Sequence, residues 1–426
     1  MNKAKLIRRL KLLELIIMST AAIAIISQSY MVMLLLLFLT GSQSAYFGPV
    51  KYSLLPQALS EAELVKGNAL VEMGTFLSIL VGTLSAGLVV SIDNGLTWAA
   101  IIVCVLAICG YLASRAIPSL PAQGDLNPSK FSLFSGTWRC ISKARQTTSI
   151  WMAILAISWF WFLGATYLTQ FPNFAKLHLH ADATVVSLLL ALFSVGIAVG
   201  SYVCERFSFG HVELGLLPFG VLGLSVFSFD MIGAIPLEVV EPGFVYSFES
   251  FIGNAQHYRV MIDLFLVGLS GGIFIVPLYA FIQTRAEKQE CAQAIAANNI
   301  INALFMVGSA VLSIVLLGVF QWSIPELFML VGVLNLIVLL YVYSQVPEFT
   351  QRFICYLLIH VMYRFHVLGR DHIPTHGAAI IFCNHVCYVV ALFIMVASTR
   401  PLRFLLVNSL TVFPFLNYFF RPSVLF

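Results

Sequence analysis

Charge is what this chain has least of. Asp, Glu, Lys and Arg make up 10% of its 426 residues, where a soluble globular protein carries roughly 25%. With 60% hydrophobic residues, too little polar surface remains to cover a water-soluble fold. That excludes a soluble enzyme, a disordered chain and a collagen-like or disulfide-rich secreted domain. The eight cysteines include no pair at C-x-x-C spacing, and most lie in apolar runs, where a thiol serves as a small hydrophobe. The net charge of +4 is too small to hold nucleic acid. No G-x-x-x-x-G-K-[ST] loop is present to take a nucleotide, so no ATP is expected to act on this chain directly. A removable signal peptide is not expected, because no small-residue cleavage pattern follows a short apolar core.

What is there is a series of apolar runs long enough to cross a bilayer. They fall near 12–28, 30–48, 68–91, 95–117, 150–171, 183–204, 214–234, 260–283, 292–318 and 323–345, giving ten expected spans. The runs are continuously apolar and do not alternate, which selects helices over a barrel. Basic residues orient them. With the N-terminus in the cytoplasm, all of the 23 Lys and Arg except Lys176 and Arg259 fall inside, as the positive-inside rule requires. Both the N-terminus and the tail are then cytoplasmic.

Two segments repeat. AYFGPVKYSLLPQALSEAELVKGNALVEMGTF, from Ala45, matches IFIVPLYAFIQTRAEKQECAQAIAANNIINALFMVGS, from Ile273. Each is a span end with Pro, a short charged loop, then a helix opening around Asn. Asn68 corresponds to Asn298 and Glu72 to Asn302. Both loops are cytoplasmic in the expected topology, so the repeat is parallel. Parallel duplication of helical bundles is the architecture of major facilitator transporters. Six spans follow the polar linker 118–149 but four precede it, so the first half is expected to lack its first two spans. The expected divisions are an incomplete first half (1–117), a cytoplasmic linker (118–149), a six-span second half (150–346) and a tail (347–426).

The segments KLIRRLKLLELIIM (from Lys5), GSQSAYFGPVKYSLLPQ (from Gly41), GNALVEMGTFLSILVGT (from Gly67) and AIAANNIINALFMVG (from Ala294) resemble the lysophospholipid transporter branch of the major facilitator superfamily. The resemblance covers roughly residues 3–345. It implies an all-α integral membrane bundle that moves lysophospholipids, chiefly lysophosphatidylethanolamine, across the bacterial inner membrane. It also implies an acyl-ACP synthetase or acyltransferase as partner, since family members are often fused to one. The tail VLGRDHIPTHGAAIIFCNHVCYVVAL, from Val367, is similar to the start of a glycerophospholipid acyltransferase domain, whose signature is N-H-x-x-x-x-D. Asn384 and His385 match, but Val390 stands at the Asp position. A general-base His needs an orienting carboxylate, and Val390 offers none. A truncated, inactive α/β acyltransferase segment is therefore expected. Two other readings stay open: part of a membrane-bound lysophospholipid acyltransferase, and a non-functional fragment of a transporter–acyltransferase fusion.

Polar residues inside spans are the site candidates, because their burial is costly. Glu72 lies one helical turn after Asn68, so both project on one face; Glu72 suits a cationic headgroup amine. Asn298, Asn299 and Asn302 are their counterparts in the second half. Lys51, followed by Tyr52, could hold a lipid phosphate. Gln43 and Ser44 could line the path. The plainer reading of each is helix–helix bonding or, for Lys51, anchoring at the membrane surface. Asp263 reads as an interfacial helix-start acid. Gly196, Gly200, Gly268, Gly271 and Gly272 read as close-packing positions. His178, His180 and Asp182, or Cys383, His385 and Cys387, could imitate a metal set, but neither is expected to bind one. No cofactor is expected.

Overall fold

The computed structural model describes residues 3–90, 92–118, 133–208, 212–236, 244–287, 290–369, 373, 379–384, 389–398, 402, 404–405 and 424–425. Its helices are α1 (Lys3–Ile26), α2 (Tyr30–Ala58), α3 (Glu61–Val90), α4 (Gly95–Arg115), α5 (Leu133–Gln146), α6 (Thr148–His178), α7 (Ala183–Ser208), α8 (Leu217–Gly233), α9 (Phe248–Gly253), α10 (Tyr258–Arg285), α11 (Cys291–Ser313), α12 (Ile324–Gln345), α13 (Pro347–Met362) and α14 (Val390–Ala397).

Nine of the described helices are long and apolar enough to cross a membrane, one fewer than the ten expected. The exception is α1. It extends back to Lys3 and so takes Arg8, Arg9, Lys11 and Glu14 into one helix. Three of those charges, Arg8, Lys11 and Glu14, find partners within the bundle. Lys11 pairs with Glu14 at 2.8 Å, and Arg8 donates to the carbonyls of Ser114, Arg115 and Ile117 at the end of α4. With these charges held this way, α1 packs along α4 and α2. The second expected run, 30–48, is ten residues too short. Helix α2 continues through Pro49 and Pro56 to Ala58, because neighbouring helices in a bundle can shelter the carbonyls that a proline leaves unpaired.

The core lies in the second half, where α6, α7, α8, α10 and α12 pack together. Here α7 and α10 approach backbone to backbone. A Cβ on Gly196, Gly200, Gly268 or Gly272 would collide with the facing carbonyls of Phe265, Leu269, Phe193 and Ile197. Small residues bring membrane helices this close. The first half meets the second where α3 runs along α7, α2 along α11 and α3 along α10.

Two stretches outside the expected spans contain helices. The linker 118–149 contains α5, with Cys140, Ile141 and Ala144 packed on the core. Its prolines and Gly124 all precede residue 129, so no proline interrupts α5. Helix α5 is tied to the turn before α11 by the Lys143–Glu290 ion pair. In the tail, α13 docks beneath the second half through a buried ion pair between Arg352 and Glu213. The Arg352 Nη1 also donates to the Ser398 carbonyl at 3.0 Å.

No α/β acyltransferase segment is seen among the described residues of 347–426, contrary to the expectation. The first part of that stretch is spent on α13. The strands described are a parallel two-residue pair, Phe404–Leu405 with Val424–Leu425. Two residues a side are too few to build the sheet such a domain needs.

Candidate functional site

The two repeated loops come together at one end of the bundle. Pro49 and Pro277 each lie just before a tyrosine, and those tyrosines face one another. Tyr52 on α2 and Tyr279 on α10 stack with ring centroids 4.6 Å apart and planes 2° from parallel. The stack joins the two halves.

Helix α3 carries the next layer. Asn68 and Glu72 lie one turn apart and are fully buried. Glu72 Oε1 accepts a 2.5 Å hydrogen bond from the Tyr52 hydroxyl, while its Oε2 is buried without a partner. Asn68 makes a reciprocal amide pair with Gln283 of α10. Asn68 Nδ2 donates to Gln283 Oε1 at 2.6 Å, and Gln283 Nε2 donates back to Asn68 Oδ1 at 3.0 Å. Both amides use their remaining donors on backbone, at Leu64 and Tyr52.

The second half supplies the opposing wall. Trp161 Nε1 donates to the Tyr279 hydroxyl at 3.3 Å. Asn298 and Asn302 stand beside the same hydroxyl. Asn302 is held by Ser158 at 2.7 Å. Asn298 is buried; its amide interacts weakly with the Tyr279 hydroxyl, and neither Oδ1 nor Nδ2 makes a hydrogen bond of full geometry. Asn299 covers Gly48, where an added Cβ would lie 2.6 Å from its Nδ2. Unpartnered polar atoms at this depth are costly and rare. Glu72 Oε2 and the Asn298 amide are therefore the two places here with unused capacity to bind something.

The other expected residues fall variously. Lys51 is half-buried, with its Nζ 4.6 Å over the Tyr52 ring and within electrostatic reach of Glu72. Gln43 is not brought to this cluster. Its Nε2 donates to Leu10 O and Glu14 Oε2, and Ser44 turns to Gln43, so both serve the α1–α2 contact. Asp263 lies in the second turn of α10, buried beside the Asp230–Arg259 ion pair. Asp182 caps α7, accepting from the Thr184 and Val185 amides and the Thr184 hydroxyl. His385 and Cys387 lie outside the described residues. Asn384 is exposed, and Val390 is the first residue of α14.

Sequence reasoning missed Gln283, Tyr279, Trp161 and Ser158. The repeat held a usable signal for two of them. Tyr52 precedes Gln57 in one copy as Tyr279 precedes Gln283 in the other.

Residues 7–253 match the family model of the Major Facilitator Superfamily. The chain is 27% identical over 273 residues to the lysophospholipid transporter LplT of Serratia proteamaculans, covering 62% of this chain and 61% of that protein. To LplT of Cronobacter sakazakii it is 25% identical over 304 residues, covering 69% and 68%. The chain therefore spans about three fifths to two thirds of the length of these curated relatives. In fold it is similar to the Escherichia coli fucose:proton symporter, with a TM-score of 0.57 at 10% identity over 80% of this chain and 86% of that one. It is also similar to a bacterial homologue of the iron transporter ferroportin in an outward-facing state, with a TM-score of 0.52 at 11% identity over 81% and 84%.

Proposed function

This chain belongs to the major facilitator superfamily, and from that premise we propose that it moves a lysophospholipid, of the lysophosphatidylethanolamine kind, across the bacterial inner membrane by alternating access. The observation that carries the reading is the buried polar cluster between the halves, in a chain similar to lysophospholipid transporters. Glu72 Oε2 is free to meet a headgroup amine, and the Asn298 amide can take and give hydrogen bonds to the glycerol or phosphate. Lys51, at the end of the same cluster, suits the phosphate as a point charge. The acyl chain would stay in the bilayer between the halves.

The end bearing the repeated loops is assigned to the cytoplasm, where the positive-inside rule puts its many basic residues. The Tyr52–Tyr279 stack and the Asn68–Gln283 pair then act as the inner gate, closed here. For residues 347–426 we assign no acyl transfer, since Val390 gives no carboxylate to orient a base. An acyltransferase consuming the imported lipid is the implied partner.

The test is uptake of labelled lysophosphatidylethanolamine by spheroplasts expressing Glu72→Gln. The substitution keeps the shape and removes the charge. Uptake should fall by about tenfold, the effect of losing roughly 1.4 kcal/mol of binding, with membrane insertion unchanged. Wild-type uptake would remove Glu72 from the site.

A further inference from the structure

A second cavity lies on the far side of the gate helix. It measures ≈ 770 Å³, well inside the range of roughly 300–1,000 Å³ typical of ligand pockets. All of its lining residues come from 148 onward, in α6, the start of α8 and the turn before it, α10, α11, α12 and α13, and none belongs to the cluster between the halves. It is therefore separate from the cluster between the halves. Its walls are largely apolar, with Ala156, Leu278, Phe305 and Val338 among them. Its polar groups gather at one end, where Thr148 opens α6, Arg285 closes α10 and Gln345 closes α12. From Thr148 to Trp159 the cavity follows α6 for about 16 Å at the helical rise. Long and apolar with a polar mouth is the shape of a site for an amphiphile.

The mouth indicates the headgroup. Arg285 is exposed and makes no ion pair among the described residues. A guanidinium offers a planar fork that matches phosphate. We propose that this cavity binds one acyl chain of a phosphate-headed lipid, with the phosphate held at Arg285. Helix α10 then has two working faces. Tyr279 and Gln283, four apart, face the first half. Leu278, Phe281 and Arg285 lie on the opposite face and border the cavity, as a period of 3.6 residues requires. A bound chain would press on the gate helix from behind.

The experiment uses the purified full chain and two photoactivatable probes with the same diazirine-bearing acyl chain. One is a lysophosphatidylethanolamine and the other a monoacylglycerol lacking phosphate. The sites of attachment are mapped by peptide mass spectrometry. The phosphate-headed probe should label residues 148–159 and 338–346. Arg285→Gln should cut that labelling by about tenfold, the equivalent of one lost charge-assisted contact, and leave monoacylglycerol labelling unchanged. Ala156→Trp, which fills the cavity, should abolish labelling by both; Val338→Phe serves the same purpose if Ala156→Trp does not fold. Glu72→Gln should leave labelling intact, which separates this site from the transport reading. Labelling that ignores the filling substitution would overturn the proposal. So would equal labelling by both probes in wild type and Arg285→Gln, or adducts confined to the surface between the halves.

Discussion

Replacing Gln283 by Leu should loosen one end of the bundle, and a native thiol can report it. The wild-type amide pair has two reciprocal hydrogen bonds, at 2.6 and 3.0 Å, and Gln283 also donates to the Tyr52 carbonyl. Interhelical hydrogen bonds in membrane proteins are worth about 0.6 kcal/mol each. The substitution also leaves Asn68 Oδ1 buried without a donor, which costs about 1–3 kcal/mol. Together these put a penalty of at least about 3 kcal/mol on the closed arrangement, or more than about 100-fold in the ratio of closed to open molecules. Cys291 lies beside the pair. It is 2% exposed and borders a small cavity of ≈ 210 Å³ with Gln283 and Ser53. In a variant keeping Cys291 as its one cysteine, maleimide should react at least about 100 times faster after Gln283→Leu. The double substitution Asn68→Leu with Gln283→Leu replaces both partners by apolar groups of similar size, which can be nearly neutral. Its rate should return close to wild type. Unchanged rates in the single variant, or additive effects in the double, would refute the role given to the pair.

Three further outcomes follow from other contacts. Arg352→Met alone should cost about 3–5 kcal/mol by removing the cation that faces the buried Glu213 carboxylate, and should expose the junction of α12 and α13 to protease; adding Glu213→Gln should recover most of the loss. Gly268→Leu drives a side chain into the Phe193 carbonyl of α7 and should lower thermal stability by more than the roughly 1–3 kcal/mol of ordinary overpacking. Asp182 is held below the usual carboxylate range, chiefly by the Thr184 hydroxyl and then by the α7 amides. A depressed folded-state pKa means its stabilisation is present above the unfolded value of about 3.9 and is lost as pH falls through the folded value. Asp182→Ala should therefore cost about 0.5–2 kcal/mol at neutral pH, with the difference from wild type vanishing in acid.

The spans were legible because a bilayer demands long apolar runs, and such runs leave little ambiguity. Glu72 and Asn68 were legible for the converse reason: polar groups stand out where burial is costly. Helix ends were harder. Helix α1 recruits five basic residues, Lys3 to Lys11, that hydropathy would keep outside, since the Lys11–Glu14 and Arg8–α4 contacts are long-range or orientation-dependent. Helices α5 and α13 were missed because their stability comes from docking, through Lys143–Glu290 and Arg352–Glu213, and isolated helices of 14 or 16 residues are marginal alone. For Gln43 the sequence left two readings open, because a buried amide looks the same whether it lines a path or bonds to a neighbouring helix; the structure shows its bond to Glu14 of α1.

The most direct measurement is uptake of labelled lysophosphatidylethanolamine into spheroplasts expressing this chain, with the lipid products analysed in the same samples. The account predicts saturable uptake that depends on Glu72, with no conversion to diacyl lipid by the chain itself. Absence of uptake from a chain shown to be inserted in the membrane would contradict the transport reading, and conversion to diacyl lipid above background would contradict the reading of Val390.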